Sequence, residues 1–184
     1  RNPDLDRLCQ NKRRMLVLNR ADQADPAATA RWMAFYRGQG LQVMEADSKK
    51  GSFLNTFTAC ARRTCADLIQ RQQAKGQVGK PIRIMIMGIP NVGKSSFINR
   101  LLNKKAAVAA DKPGVTRDRI YGDCEWLGHR FLLVDTGGIE PRADDVILSQ
   151  MRAQANIAIA TADVIVLVTD LRSGVVATDQ DVAN

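Results

Sequence analysis

Residues 82–102 read IRIMIMGIPNVGKSSFINRLL, and this stretch decides the fold. A short apolar strand pattern runs into Gly88-Ile89-Pro90-Asn91-Val92-Gly93-Lys94-Ser95, an ungapped G-x-x-x-x-G-K-[ST], and a helical pattern continues from Lys94 to about Leu102. Glycines let such a loop turn tightly, so that successive backbone N–H groups point inward at phosphate oxygens. Lys94 would reach the β- and γ-phosphates, and the Ser95 hydroxyl would ligate Mg²⁺. Val92, Gly93 and Ser96 complete the cradle, and the helix that starts there adds its positive dipole end. With a strand entering and a helix leaving, the stretch predicts a nucleotide site.

Downstream, FLLVDTGG (131–138) ends an apolar strand in Asp135. An aspartate at a strand tip can hold Mg²⁺, usually through water, while the Gly138 N–H faces the γ-phosphate. Between Ser95 and Asp135 lies Thr116 in PGVT, in a loop of the kind that closes over Mg²⁺ when a γ-phosphate is present. Upstream stands MLVLNRAD (15–22). The Asp22 carboxylate can accept hydrogen bonds from N1–H and N2–H₂ of guanine, a donor pair that adenine lacks, and such mismatches discriminate strongly. Asn19 would brace the neighbouring loop, and the aliphatic stem of Arg20 could lie against one face of the base. ADSKKG (46–51) can supply backbone N–H to guanine O6, with Ser48 and Lys49 nearest. In isolation a helix-capping turn would be the preferred explanation of Asn19 and Asp22. Beside a complete phosphate site, guanine recognition is the expectation.

Short apolar runs alternate with helical stretches along the rest of the chain, which predicts an α/β domain with a mainly parallel six-stranded sheet and helices on both faces. Strands are expected at 14–18, 41–46, 82–87, 120–126, 130–135 and 163–170. Helices are expected from about Pro26 to Arg37, capped by Asp25, within 52–75, from Lys94, and through 144–161. Leu127-Gly128-His129 reads as a hairpin turn. Residues 1–184 form one domain in this scheme, with a base-recognition part over 1–75, a linker GQVGKP at 76–81, and a phosphate, Mg²⁺ and switch part over 82–184.

The 184 residues carry a net charge of +8, unevenly spread. Residues 1–104 hold 19 Lys and Arg against 7 Asp and Glu; residues 105–184 hold 8 against 12. A basic front half suits phosphate-rich partners such as RNA, and it equally suits a solvated surface. Cys9, Cys60, Cys65 and Cys124 lack C-x-x-C spacing and have only His129 to assist them, so free thiols in a reducing cytoplasm are expected rather than a zinc site. No apolar run approaches the length of a membrane span, and no signal peptide is visible, although the chain opens on Arg1.

The motifs stand in an unusual order. A Ras-like GTPase runs phosphate loop, switch Thr, Asp-x-x-Gly, then Asn-Lys-x-Asp and the last base loop; here the base loops come first. Joining residue 184 to residue 1 restores the usual ring, cut between its fourth and fifth strands, so a circular permutation is expected. Residues 1 to about 117 resemble the circularly permuted GTPases of the YlqF (RbgA) group, through RNPDLD, LVLNRAD, DSKKG and IMIMGIPNVGKSSFINRLLNKKAAVAADKPGVTR. From about Asp111 the chain instead resembles the first GTPase domain of the EngA (Der) group, through KPGVTRDRIYGDCEWLGHRFLLVDTGGIEP and ADVIVLVTDLRSGVVATDQDVAN. It therefore looks like a chimera, in which DVIVLVTD supplies the strand that a YlqF-type chain would place before RNP.

The resemblance implies an Mg²⁺-dependent GTPase of ribosome-assembly ancestry, with ribosomal RNA or the large ribosomal subunit as partner and a cytoplasmic location. Both groups carry an apolar residue, here Ile139, where Ras-like enzymes carry a water-orienting Gln. Both are thought to use K⁺ bound through a loop asparagine, which maps to Asn91. The expected catalytic set is then Lys94, Thr116, Asp135, Gly138 and Asn91, with slow GTP hydrolysis faster in K⁺ than in Na⁺. Arg20 replaces the lysine usual in both groups. The accessory domains of the two groups do not occur within these residues. Two further readings stay open: a GDP/GTP-binding module with negligible turnover, and an RNA-binding protein regulated by nucleotide. A monomer and a strand-swapped dimer are both compatible with the order of strands.

Overall fold

The structure, a computed structural model, describes residues 12–77, 79–88, 91–102, 120–126, 129–135 and 158–172. Its centre is a sheet of six strands in the order β2-β1-β6-β3-β5-β4. These are β1 (Arg13–Asn19), β2 (Gln42–Ala46), β3 (Ile82–Met87), β4 (Ile120–Trp126), β5 (His129–Asp135) and β6 (Val164–Asp170). All neighbours pair parallel except β4 with β5, which are antiparallel. β6 is buried along its whole length, and β1 from Met15 onward. A continuous apolar run such as VIVLV fits only an interior strand covered on both faces.

Helices cover those faces. α1 (Pro26–Gly38) starts where the sequence predicts: the Asp25 carboxylate accepts a hydrogen bond from the Ala28 N–H at 2.6 Å, and Pro26 occupies the first turn, where its missing N–H costs nothing. The helical pattern of 52–75 divides into α2 (Leu54–Thr64) and α3 (Ala66–Ala74). The break falls at Cys65, whose side chain is fully buried among core residues. Turning the chain there keeps the thiol inside while α3 swings outward, where Asp67 accepts hydrogen bonds from the Arg13 guanidinium. Burial pushes the Cys65 thiol up to about 11, and the Arg13 hydrogen bond holds the Asp67 carboxyl below the usual carboxylate range.

α4 (Lys94–Leu101) follows the glycine loop and joins the two parts of the chain. Phe97 stacks on Phe53 with ring centroids 4.7 Å apart, and Phe57 meets the same ring edge-on at 5.6 Å. One core cluster accordingly holds Met15, Phe53 and Phe57 together with Ile84, Phe97, Phe131 and Val166. On the opposite face Leu16, Leu18 and Leu167 pack with Tyr36 of α1, and Met85 and Ile165 pack with Ala158 and Ile159.

One local expectation changes. His129 pairs with Trp126 as the first residue of β5, so it belongs to the strand rather than to the turn. Of the helix expected through 144–161, the described residues 158–161 are helical. Leu127, Gly128, the N-terminal RNPDLD and the tail beyond Arg172 lie outside the described residues. Among those described, no helix is long and apolar enough to cross a membrane.

Candidate nucleotide site

Parallel strands deliver their C-terminal ends to one edge of a sheet, and the loops there form the usual ligand crevice of an open α/β fold. Here β3 leads to Gly88, β1 to Asn19, β2 to Ala46 and β6 to Asp170. The register of β5 on β3 brings Asp135 level with Ile86, two residues before Gly88.

Gly88 must be glycine, because a Cβ there would stand 2.3 Å from the Val168 carbonyl oxygen. Gly93 has φ +88°, and its Cβ would lie 2.5 Å from the Asn19 Nδ2. The loop therefore touches the neighbouring strand at one end and the base motif at the other. Between them Asn91 takes the left-handed conformation, φ 66°, and is exposed, while Val92 is buried. The Lys94 ammonium donates to the Gly88 carbonyl oxygen, which holds it across the mouth of the loop. Ser95 and Ser96 are exposed at the start of α4.

The buried side chain of Asn19 ties three segments together. Its Nδ2 donates to the Val92 carbonyl at 2.7 Å, its Oδ1 accepts from the Ser48 hydroxyl at 2.7 Å, and its own carbonyl accepts from the Leu171 N–H at 3.0 Å. An amide suits this position because it is donor and acceptor at once. Arg20 follows with φ 61°, opening the short 3₁₀ turn Ala21–Gln23. Its guanidinium donates to the Asn91 carbonyl at 2.7 Å and pairs with Asp170 at 3.1 Å. The head group of Arg20 thus holds the phosphate loop, a role the sequence reading, which laid its stem on the base, did not see. Asp22 lies 4.0 Å from the Lys49 ammonium. Lys49 sits on the loop after β2, and the Arg100 guanidinium donates to its carbonyl from α4.

Asp170 is the residue the sequence reading missed. It is 6% exposed, accepts from the Arg172 N–H at 2.9 Å, and ion-pairs with both Arg20 and Arg172. The only local signal was an apolar strand ending in a carboxylate. Of the other expected site residues, Thr116, Gly138 and Ile139 lie outside the described residues, and of Asp135 only the backbone position is described. For the Mg²⁺ implied by the motif, the residues present fit: an exposed serine hydroxyl opens α4, and an aspartate ends the strand beside the loop.

Comparison with known proteins places this geometry. Over 106 residues, 58% of this chain, it is 53% identical to GTPase Der of Clostridium botulinum (strain Langeland) and to GTPase Der of Clostridium kluyveri. Over 107 residues it is 54% identical to GTPase Der of Lachnospira eligens. The chain spans 24% of the length of each of these relatives. Among solved structures, the G domain of the T. maritima FeoB iron transporter is 27% identical, covering 47% of this chain and 54% of that one, with a TM-score of 0.33. Residues 83–184, from β3 through the phosphate loop and beyond β6, match the family described as 50S ribosome-binding GTPase. The chain belongs to that family and has its P-loop α/β fold.

Proposed function

We propose that this chain binds guanine nucleotides and hydrolyses GTP to GDP and phosphate, as a circularly permuted domain whose base half is of YlqF (RbgA) type and whose phosphate half is of EngA (Der) type. One contact carries the reading: the Asn19 amide, from the base motif, donates to the Val92 carbonyl, from the phosphate loop, at 2.7 Å. Two motifs 73 residues apart in the chain are then parts of one site. The sheet supports the permutation. Followed from β3 through β4, β5 and β6, and then to β1 and β2, the strands run in the conventional motif order, and β6 passes the path to β1 along seven paired residues.

In this scheme Asp22 accepts from the guanine edge, and Lys49, close by, is positioned to shield its charge. The Lys94 ammonium exchanges the Gly88 carbonyl for β- and γ-phosphate oxygens, and the amides of Val92 to Ser95 donate to the same phosphates. Ser95, Thr116 and Asp135 would hold Mg²⁺, which neutralises charge developing between the phosphates. Asn91 would hold K⁺ beside them. The apolar Ile139 leaves the attacking water without a side-chain director, so intrinsic turnover is slow. Ribosomal RNA or the large subunit is the proposed partner and the cytoplasm the proposed location, in keeping with the family.

The test is nucleotide content after purification, together with affinities for GDP, GTP and ATP. Guanine nucleotides should bind at least 100-fold tighter than ATP; equal affinities would refute the assignment of Asp22.

A further inference from the structure

The described carboxylates of this chain are unevenly spread along the strand axis. Asp22, Asp25, Glu45, Asp47 and Asp170 stand at or just past the C-terminal strand ends, around the nucleotide loops. Among the described carboxylate side chains only Asp67 and Asp163 lie at the other end, where β1, β3 and β5 begin.

Cations stand at both ends, Arg20, Lys49, Lys94, Arg100 and Arg172 among them at the nucleotide loops, but at the other end they outnumber the described carboxylates. Strand registers set Arg13, Arg83 and Arg130 at one end of the sheet, at the starts of their strands, since Arg13 and Ile84 both align with Val164 and Ile82 aligns with Phe131. The last turn of α2 brings Arg62 and Arg63 to the same end, because Asp67, just beyond, is hydrogen-bonded to Arg13. Lys75 and Lys80 flank the loop that enters β3. The two local acids are already engaged, Asp67 by Arg13 and Arg71, and Asp163 by Arg83. Arg62, Arg63, Lys75 and Lys80 are exposed and have no acidic partner among the described residues, and Arg130, also exposed, stands opposite Glu125 in the register of β4 on β5.

An excess of like charge on one end of a domain creates a positive potential that attracts a polyanion. The nucleotide phosphates are bound at the opposite end of the strands, so they do not account for these cations. We propose that the end of the sheet opposite the nucleotide loops is a docking surface for the phosphate backbone of RNA. Guanidinium forks pair with carboxylates and phosphates alike, so the choice of RNA rests on its regularly repeated phosphates, each of which sheds condensed counterions when a spread of exposed cations meets it. Contacts of this kind fix position rather than read sequence. The surface gives the RNA partner of the proposed function a place on this chain, and it stands or falls separately from GTP binding.

The experiment uses the whole chain and a fluorescein-labelled 20-nucleotide RNA, with anisotropy titrations between about 50 and 300 mM KCl. The variant Arg62→Glu/Arg63→Glu/Lys75→Glu should bind RNA at least tenfold more weakly, and the slope of log K against log salt should shrink by about 2, near 0.7 for each lost phosphate contact. Arg31→Glu, an exposed change on α1, should leave both quantities near the parent's. GTP affinity and the circular dichroism spectrum of each sample report on the nucleotide site and on folding. A triple variant that is folded and keeps parental RNA affinity and slope overturns the proposal. So does displacement of the RNA by polyglutamate at equal charge concentration, which would assign the surface to an acidic polypeptide. Loss of GTP binding alone leaves the RNA surface standing.

Discussion

Replacing Asn19 by alanine removes one side chain and severs two loops from each other. The Val92 carbonyl and the Ser48 hydroxyl each lose a 2.7 Å hydrogen bond in a setting where Asn19 is 1% exposed and Ser48 7%. A buried polar group left without a partner costs about 1–3 kcal/mol. Ser48 can turn its hydroxyl toward solvent more readily than the Val92 carbonyl can move, so the expected loss is about 3 kcal/mol. Ser48→Ala removes the shorter end of the network and should cost about 1 kcal/mol. The two residues share a bond, so the double variant should lose about 1 kcal/mol less than the sum of the single losses. Urea unfolding of nucleotide-free protein reads these values directly. With a slope near 2 kcal/mol per molar, Asn19→Ala should lower the midpoint by about 1.5 M. Repeating the series at saturating GDP should widen the gap, because the variant also binds nucleotide more weakly and gains less from it. A loss below about 0.5 kcal/mol for Asn19→Ala would show that base motif and phosphate loop do not share a network, and strict additivity in the double variant would show that Asn19 and Ser48 are uncoupled.

Four other outcomes follow from the same geometry. Asp22→Asn should weaken GTP binding about 100-fold or more and favour xanthosine triphosphate, measured by competition; unchanged GTP affinity would place the base elsewhere. Single-turnover GTP hydrolysis should run faster in KCl than in NaCl, and Asn91→Ala should erase the difference, whereas equal rates in both salts for the parent would remove K⁺ from the mechanism. At pH 7 the Cys65 thiol, raised by burial to about 11 and fully buried, should resist iodoacetamide until the protein unfolds, with the labelled peptide identified by mass spectrometry. Asp67 has a lowered pKa in the folded chain, so its pairing with Arg13 stabilises above the unfolded carboxylate value of about 3.9 and is lost as pH falls through the lower folded value. Asp67→Asn should flatten the acid limb of the stability curve, and an unchanged acid limb would show that this pair does not contribute.

Most of the strands were legible in the sequence because they are short apolar runs between turn residues, and the phosphate loop because its backbone geometry demands glycine at fixed spacing. The α1 cap was legible too, since Asp25 and Pro26 act within one turn. What the sequence did not display were contacts whose partners are distant in the chain. Arg20 meets Asp170 only because β6 lies beside β1, with Asn19 paired to Asp170. The division of 52–75 into two helices hangs on one buried cysteine between stretches that are both helical by pattern. The gathering of the described carboxylates at one strand end becomes visible only once parallel pairing gives all the central strands a common direction.

The place of β6 between β1 and β3 has a consequence for biosynthesis. During translation β1, β2 and β3 emerge long before residues 164–170, yet β1 and β3 do not touch until β6 wedges between them. Each waits with a bare backbone edge, open to premature pairing with another nascent chain. Assembly is thus delayed until nearly the last stretch of the described chain has left the exit tunnel, and a stall just before Val164 should trap two half-sheets rather than a shortened domain.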